Sequence, residues 1–314
     1  MIAPSPTRAD PRVAVVTGAT SGIGKEVARG LAAQGWTTVV VGRGTGRAST
    51  VAAELATATR NPRVESVVVS DLAVRAEVQT LAGELLDRYP AIHVLVNNAG
   101  AYFARREVTV DGLERTFGLN VLAPFTLTSL LADRLRSSAP ARVVQVSSSA
   151  HRGQSVHLED LQGSANYHGY SAYGTSKLEL ILLTREFARR LPGTGVTVNA
   201  VHPGFIRSGF GKNNPGAVRV GFRLSEFLFA RSVVYGARRV LTVATGPRAG
   251  SVSGEYFSRD QVVRGSTNSY DMATARRLFD ACRGLAGIPD LPDRSAPEPS
   301  GPNSAPARSP SVPG

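Results

Sequence analysis

A chain of 314 residues, 42% of them apolar, can bury one large core, and no run in it approaches the roughly 18 uninterrupted apolar residues that cross a bilayer. The single cysteine, Cys282, excludes a disulfide framework, and the five histidines fall at no metal-ligand spacing, so no metal site is expected. A net charge of +12 could serve nucleic acid, but the arginines are scattered rather than gathered in a run, and no nucleic-acid partner is expected.

In chain order, residues 1–11 are Pro-rich and polar and read as a loose tail. They lack the apolar segment of a secretory signal, so a cytoplasmic protein is expected. Val13–Thr17 (VAVVT) is a β-branched apolar run that predicts a buried strand. It leads into Gly18, Ala19, Thr20, Ser21, Gly22, Ile23 and Gly24, and then into a helical pattern at Val27, Leu31 and Ala32. Strand, glycine turn and helix in that order suit a phosphate. Glycines let the backbone approach closely, and the free N–H groups of the helix start face the anion. A second strand at 37–41 ends in Gly42 and Arg43. Dinucleotide folds often carry an acid here to hold ribose hydroxyls. A glycine followed by an arginine favours a 2′-phosphate instead, and so NADP(H) over NAD(H). Arg47, read as part of the same loop, is a second cation for that phosphate.

A third strand is expected at 64–70, closed by Asp71 and Leu72, then an amphipathic helix at 73–89. A fourth strand at 92–96 ends in Asn97, Asn98, Ala99 and Gly100, small residues that would let a cofactor lie against the backbone. Residues 111–137 read as one long helix with Asn120 inside it, where an amide competes for backbone hydrogen bonds and can open the helix locally. A fifth strand at 142–147 runs into Ser147, Ser148 and Ser149, and a sixth at 196–201 is closed by His202, Pro203 and Gly204. A short last strand is expected at 254–257, and a Pro-rich disordered tail from 289 to 314. Alternating strands and helices predict an α/β fold, a single doubly wound Rossmann-type domain over 12–288 with a mainly parallel sheet. Its ligand crevice should lie at the strand carboxyl ends.

The stretch 170–177 (YSAYGTSK) holds Tyr173 and Lys177 four residues apart, one above the other on a helix. A phenol is a poor acid or base at neutral pH, and a nearby ammonium favours its phenolate. Only three lysines occur here, against thirty-three arginines, which argues for a specific use of this one. Between 205 and 234, phenylalanines alternate with arginines. Such a segment is equally a packing helix and an apolar cover for a ligand.

Taken together, TGATSGIG, Asp71, NNAG, Asn120, Ser148, Tyr173 with Lys177, and Pro203-Gly204 resemble the short-chain dehydrogenases/reductases from about residue 12 to about residue 288. VSSSAH (146–151), LEDLQ (158–162) and LTREFARRLPGTGVTVNAVHPG (183–204) are similar to the retinol dehydrogenase-type group and its bacterial relatives. The 24 residues between Ser148 and Tyr173 also suit that group. The resemblance implies Tyr173 as general acid in reduction and base in oxidation. Lys177 would lower its pKa and hold the nicotinamide ribose. Ser148, with Ser147 as the near alternative, would bond the substrate oxygen. Asn120 would hold a water linking Lys177 to solvent. It also implies cofactor contacts from Gly18, Thr20, Ser21, Gly22, Ile23, Gly24, Arg43, Asp71, Leu72, Asn98, Ala99, Gly100, Tyr173, Lys177, Pro203, Gly204 and Ile206. The segment 205–234 becomes a substrate lid, and its aromatic content points to a lipophilic carbonyl or alcohol. The helices with Asn120 and Tyr173 commonly form a dimer face in this family, so a homo-oligomer is open. The function expected is NADP(H)-dependent interconversion of a carbonyl and an alcohol. The alternatives are a dedicated ketoreductase of one biosynthetic pathway and a non-catalytic nicotinamide-sensing protein.

Overall fold

The strands form because each central one is apolar on both sides, as a sheet covered on both faces requires. In the computed structural model, which describes residues 12–204 and 232–291, they build one eight-stranded sheet in the order β3-β2-β1-β4-β5-β6-β7-β8. The strands are β1 Val13–Thr17, β2 Thr37–Gly42, β3 Val64–Val68, β4 Val94–Asn97, β5 Ala141–Val146, β6 Val196–His202, β7 Tyr256–Ser258 and β8 Gln261–Val262. All neighbours pair in parallel except β7 with β8. Strand order reverses between β1 and β4, and a crevice opens at such a switch point.

Period-two alternation survives inside the continuous apolar runs. Ala14 and Val16 join one core with Val27 and Leu31 of α1 (Gly22–Ala33), Val51 and Leu55 of α2 (Thr45–Thr59), and a C-terminal helix. Val13 and Val15 face the other core. There Leu81 and Leu85 of α3 (Arg75–Arg88) meet the helices that carry the candidate site.

The long helix expected at 111–137 is a broken one. It comprises α4 (Arg115–Phe117), a π-turn at Gly118–Leu122, α5 (Ala123–Leu130) and α6 (Ala132–Ser137). Residues before 115 are not helical. Glu114 pairs as a β-bridge with Val108, and its carboxylate caps α4 by accepting from Thr116 and Phe117 N–H at 2.7 and 2.8 Å. Asn120 sits within the π-turn, so the local opening expected of it is present.

Two further boundaries differ from expectation, at Arg47 and at residues 289–291. Arg47 lies in the first turn of α2, which starts at Thr45 straight after Gly44. The segment 205–231 lies outside the described residues, and α8 (Val233–Thr245) begins inside the range expected for the lid. Residues 289–291 belong to the body: Leu291 is buried, and Arg190 Nη1 donates to the Leu291 carbonyl and to Asp290 Oδ1, both at 3.0 Å.

Beyond α7 (Gly169–Arg190) and a one-turn α9 (Pro247–Gly250), the chain closes with α10 (Met272–Ala286). α10 packs on α7 and α5 rather than on the sheet. Phe279 is the keystone of that contact, with ring centroids 4.9 Å from Phe125 and 5.1 Å from Phe187, both edge-on. Phe279→Ala should lower unfolding free energy by about 3–5 kcal/mol. A urea titration that shifts by less than a third of that would show the contact to be dispensable.

Candidate active site

The crevice begins with backbone geometry. After β1 the chain turns through Gly18 (φ +64°) and Gly22 (φ +58°), conformations that a side chain disfavours. Gly24 is needed for space, because a Cβ there would strike Asn98 Nδ2 and the Gly18 carbonyl. At Gly42, at the β2 end, a Cβ would meet the Thr20 methyl, so a larger residue there requires Thr20 to turn aside. Gly42 carries no acid to hold ribose hydroxyls, and Arg43 beside it is exposed. α1 has no acidic residue in its first turn, which leaves its N–H groups to an anion.

A cleft of about 470 Å³ follows from this turn. Of the expected cofactor residues, Gly18, Thr20, Ser21, Arg43, Asp71, Leu72, Ala99 and Gly100 line it. Gly22, Ile23 and Gly24 open α1 immediately after Ser21. Asn98 is engaged elsewhere: its Nδ2 donates to the Thr17 carbonyl at 2.9 Å, and Thr17 Oγ1 accepts from the Asn98 and Ala99 N–H at 3.0 and 3.1 Å. That exchange ties the β4 end to the glycine turn. Pro203 and Gly204 (φ +103°) close β6, and Ile206 lies outside the described residues. These features fit a dinucleotide phosphate with a charged group at the Arg43 end.

Sequence reading missed Arg115. Its Nη2 donates to Asp71 Oδ2 at 2.6 Å and its guanidinium lies 5.5 Å from the Phe103 ring centroid, so it lines the cleft beside the residue it orients. Forty-four positions separate the pair, and no local spacing signals it.

The catalytic candidates converge at the end of β5. Lys177 is buried, and its Nζ donates to the Val146 carbonyl at 3.1 Å and stands 5.6 Å from the Tyr173 ring centroid. Asn120 is buried too. Its Nδ2 donates to the Ala101 carbonyl (3.0 Å) and Ser176 Oγ (3.1 Å), while its Oδ1 accepts from Ala101 N–H (3.0 Å). A Cβ on Gly100 would lie 3.1 Å from Asn120 Oδ1 and 3.3 Å from Lys177 Nζ, which explains the glycine. Gly174, on α7, is small for a similar reason. A Cβ there would lie 2.6 Å from the Ala150 carbonyl, so its absence brings α7 against the serine loop.

The serines separate cleanly. Ser147 Oγ donates to the Lys177 carbonyl at 2.9 Å and is buried, whereas the Ser148 hydroxyl bonds the Tyr173 phenol. Burial raises Tyr173 to about 12, with the Ser148 bond pulling the other way. Burial also lowers Lys177 to about 8. Burial outweighs the other influences on the phenol here, with the Lys177 amine turned to Val146. Tyr102, also missed from sequence, stands edge-on to Tyr173 with ring centroids 6.4 Å apart.

Two histidines grip the serine loop. His151 is fully buried, and its Nε2 accepts from Ser266 N–H at 3.1 Å. Its Nδ1 therefore carries the proton and donates to the Ser148 carbonyl at 2.7 Å. His202 Nδ1 accepts from Ser149 N–H at 3.2 Å. Neither belongs to a metal cluster, and no group of three or more potential ligands occurs among the described residues.

A glycine-turn cleft whose Gly100 wall borders Asn120 and the buried Lys177 amine, with a phenol and a hydroxyl paired nearby, suits a nicotinamide-dependent oxidoreductase. Comparison with known proteins agrees: residues 12–217 match the family described as short chain dehydrogenase. The chain belongs to the short-chain dehydrogenase/reductase family and is an NAD(P)-dependent oxidoreductase of alcohol and carbonyl groups. It is 39% identical to retinol dehydrogenase 12 of Mus musculus over 88% of this chain and 87% of that one. To human retinol dehydrogenase 11 it is 38% identical, over 88% and 86%. Among solved structures, an uncharacterised protein from Mycobacterium paratuberculosis aligns with a TM-score of 0.72 at 30% identity, covering 90% of this chain and 95% of that one. The NADP active-site complex of Pseudomonas aeruginosa RhlG aligns at 0.62 with 26% identity, covering 82% and 95%.

His202 generates a pH prediction. Burial first, then His151, Arg152 and Arg259, lower it from 6.5 to about 4. Between those values the unfolded chain binds a proton that the folded chain refuses. The stability supplied by the neutral ring is thus complete above 6.5 and is lost as pH falls through about 4. Urea midpoints of the parent protein should fall more steeply over that window than those of His202→Asn. Parallel slopes would remove His202 from the account.

Proposed function

We propose that the chain interconverts a carbonyl and an alcohol on a lipophilic small molecule, with NADP(H) as hydride carrier and Tyr173 as the group that moves the proton. The observation that carries this reading is the hydrogen bond between the Tyr173 phenol and the Ser148 hydroxyl, made next to the buried Lys177 amine. Two hydroxyls so paired can both face one substrate oxygen. Ser148 holds that oxygen and steadies negative charge on it, and Tyr173 delivers its proton as the charge develops. The phenol is protonated at neutral pH, the form from which an acid in carbonyl reduction starts, and the Ser148 bond opposes the rise that burial causes. Lys177, lowered to about 8, changes charge readily enough to reprotonate the phenol. Asn120 fixes the Ala101 backbone and Ser176, which keeps the wall beside Lys177 in one arrangement. When bound, the nicotinamide supplies or accepts the hydride. Thr20, Ser21 and the α1 N-terminus would hold its phosphates, with Arg43 at the 2′-phosphate.

The preference for NADP(H) rests on the absence of an acid at Gly42 and on exposed Arg43 in the cleft. Support for a lipophilic substrate comes from the phenylalanines of 205–234 in sequence and from Tyr102 edge-on to Tyr173. Relatives named for retinol point the same way.

Both assignments can be read in one assay, NADPH or NADH oxidation with a panel of long-chain and polycyclic aldehydes and ketones. Tyr173→Phe should lower kcat by at least about 100-fold while NADPH still binds. Turnover retained within a few-fold would mean that another group is the acid. Arg43→Asp should move the NADPH/NADH ratio of kcat/KM toward NADH by about ten-fold or more. An unchanged ratio would dissociate Arg43 from cofactor choice.

A further inference from the structure

A second cavity, of about 690 Å³, lies on the α7 side away from the glycine turn. Its floor is one face of α7, from Ser171 to Glu179, and its walls come from the 156–168 connection, Phe117 and the start of α10. Glu179 lines this cavity with only 3% of its surface exposed, and its carboxyl has no hydrogen-bond or ion-pair partner among the described residues. We propose that this cavity is a binding site for a small organic ammonium ion with an apolar body, held by Glu179 as its counter-ion.

The character of the walls selects that class. Four acids line the cavity, Glu114, Glu159, Asp160 and Glu179. Among the described residues Arg277 is the single lysine or arginine there, and it already stands 3.5 Å from Glu159. In a chain of net charge +12, this is a local reversal of sign, and it turns anions away. Burial, followed by repulsion from Glu114, holds Glu179 well above the usual carboxylate range. Cys282 of α10, which also interacts with Glu179, is buried and is itself pushed up by burial and by Glu179; Tyr167, His157 and His168 are the remaining titratable groups of the lining. Among the described residues Glu179 thus lacks a positive neighbour, and a cation placed beside it would ionise it. A metal ion is the wrong cation, because no group of three or more potential ligands is assembled among the described residues. The Glu114 oxygens already accept from Thr116 and Phe117 N–H. What remains is one acid facing Val156, Leu158, Leu161 and Phe117, which suits an ammonium on a hydrocarbon or aromatic body.

The site backs onto the catalytic helix, since Ser176, which accepts from Asn120, is part of the same floor. It is nonetheless separate from the proposed chemistry, and its test does not require turnover. Isothermal titration calorimetry of the full chain with hexylamine, in two buffers of different ionisation enthalpy, reads affinity and proton release together. Hexylamine should bind saturably at one site with release of about one proton near neutral pH, because Glu179 ionises as the ammonium arrives. Hexanol should bind at least about ten-fold more weakly. Glu179→Gln should lose at least about ten-fold in hexylamine affinity together with the proton release. Retained NADPH binding shows that the variant is folded. Absence of saturable binding by both hexylamine and phenethylamine would overturn the proposal. So would equal affinity in Glu179→Gln.

Discussion

Burying an ammonium without a counter-anion is among the least favourable things a fold can do, and here it is done at Lys177. Among the described residues no carboxylate pairs with it, and burial alone accounts for its lowered pKa. The residue is held at both ends by the exit of β5. Its amine donates to the Val146 carbonyl, and its own carbonyl accepts from Ser147. Much of the surrounding sequence answers to that anchoring. At Gly100 a Cβ would fit only if the amine or the Asn120 amide gave way by a few tenths of an ångström. Gly174 has no side chain because α7 must lie against the loop after β5. Asn120 occupies a π-turn, which supplies the local irregularity that lets a side-chain amide replace a backbone partner for Ala101.

The loop after β5 is held with comparable care. Two neutral imidazoles on opposite sides fix Ser148 and Ser149 through main-chain atoms. Tyr256 stacks edge-on against His151 with centroids 4.9 Å apart, so the second edge of the sheet supports the serine. The loop that carries Ser148 is therefore held largely through backbone atoms.

What the sequence disclosed and what it concealed follow one physical line. Signals within a few residues were legible: the VAVVT strand before the glycines, the Tyr173–Lys177 spacing, and the mid-helix Asn120 that foretold a local opening. Helix α2 was hidden because TGRASTVAAELATAT is rich in threonine and alanine and announces no clear face, so its start passed for loop. The β7–β8 hairpin was hidden for a different reason. Its two-residue turn puts Arg259 and Asp260 at φ +51° and +63°, a conformation normally advertised by Asn-Gly. Contacts between distant positions gave no warning at all. Arg115 on Asp71, Tyr102 on Tyr173 and the burial of Glu179 exist only once the chain has folded. Family resemblance supplied the roles expected of Ser148 and Asn120, which spacing alone could not.

The placement of α10 has a consequence for how the molecule behaves when diluted. The surface of α5 and α7 turned from the sheet is covered by a helix of the same chain, through Phe279 and its neighbours. A brace supplied by a second copy would obey a dissociation constant and loosen as the protein became scarce. A brace tethered by the chain itself has a fixed effective concentration, so the α10 contact does not itself weaken as the protein is diluted.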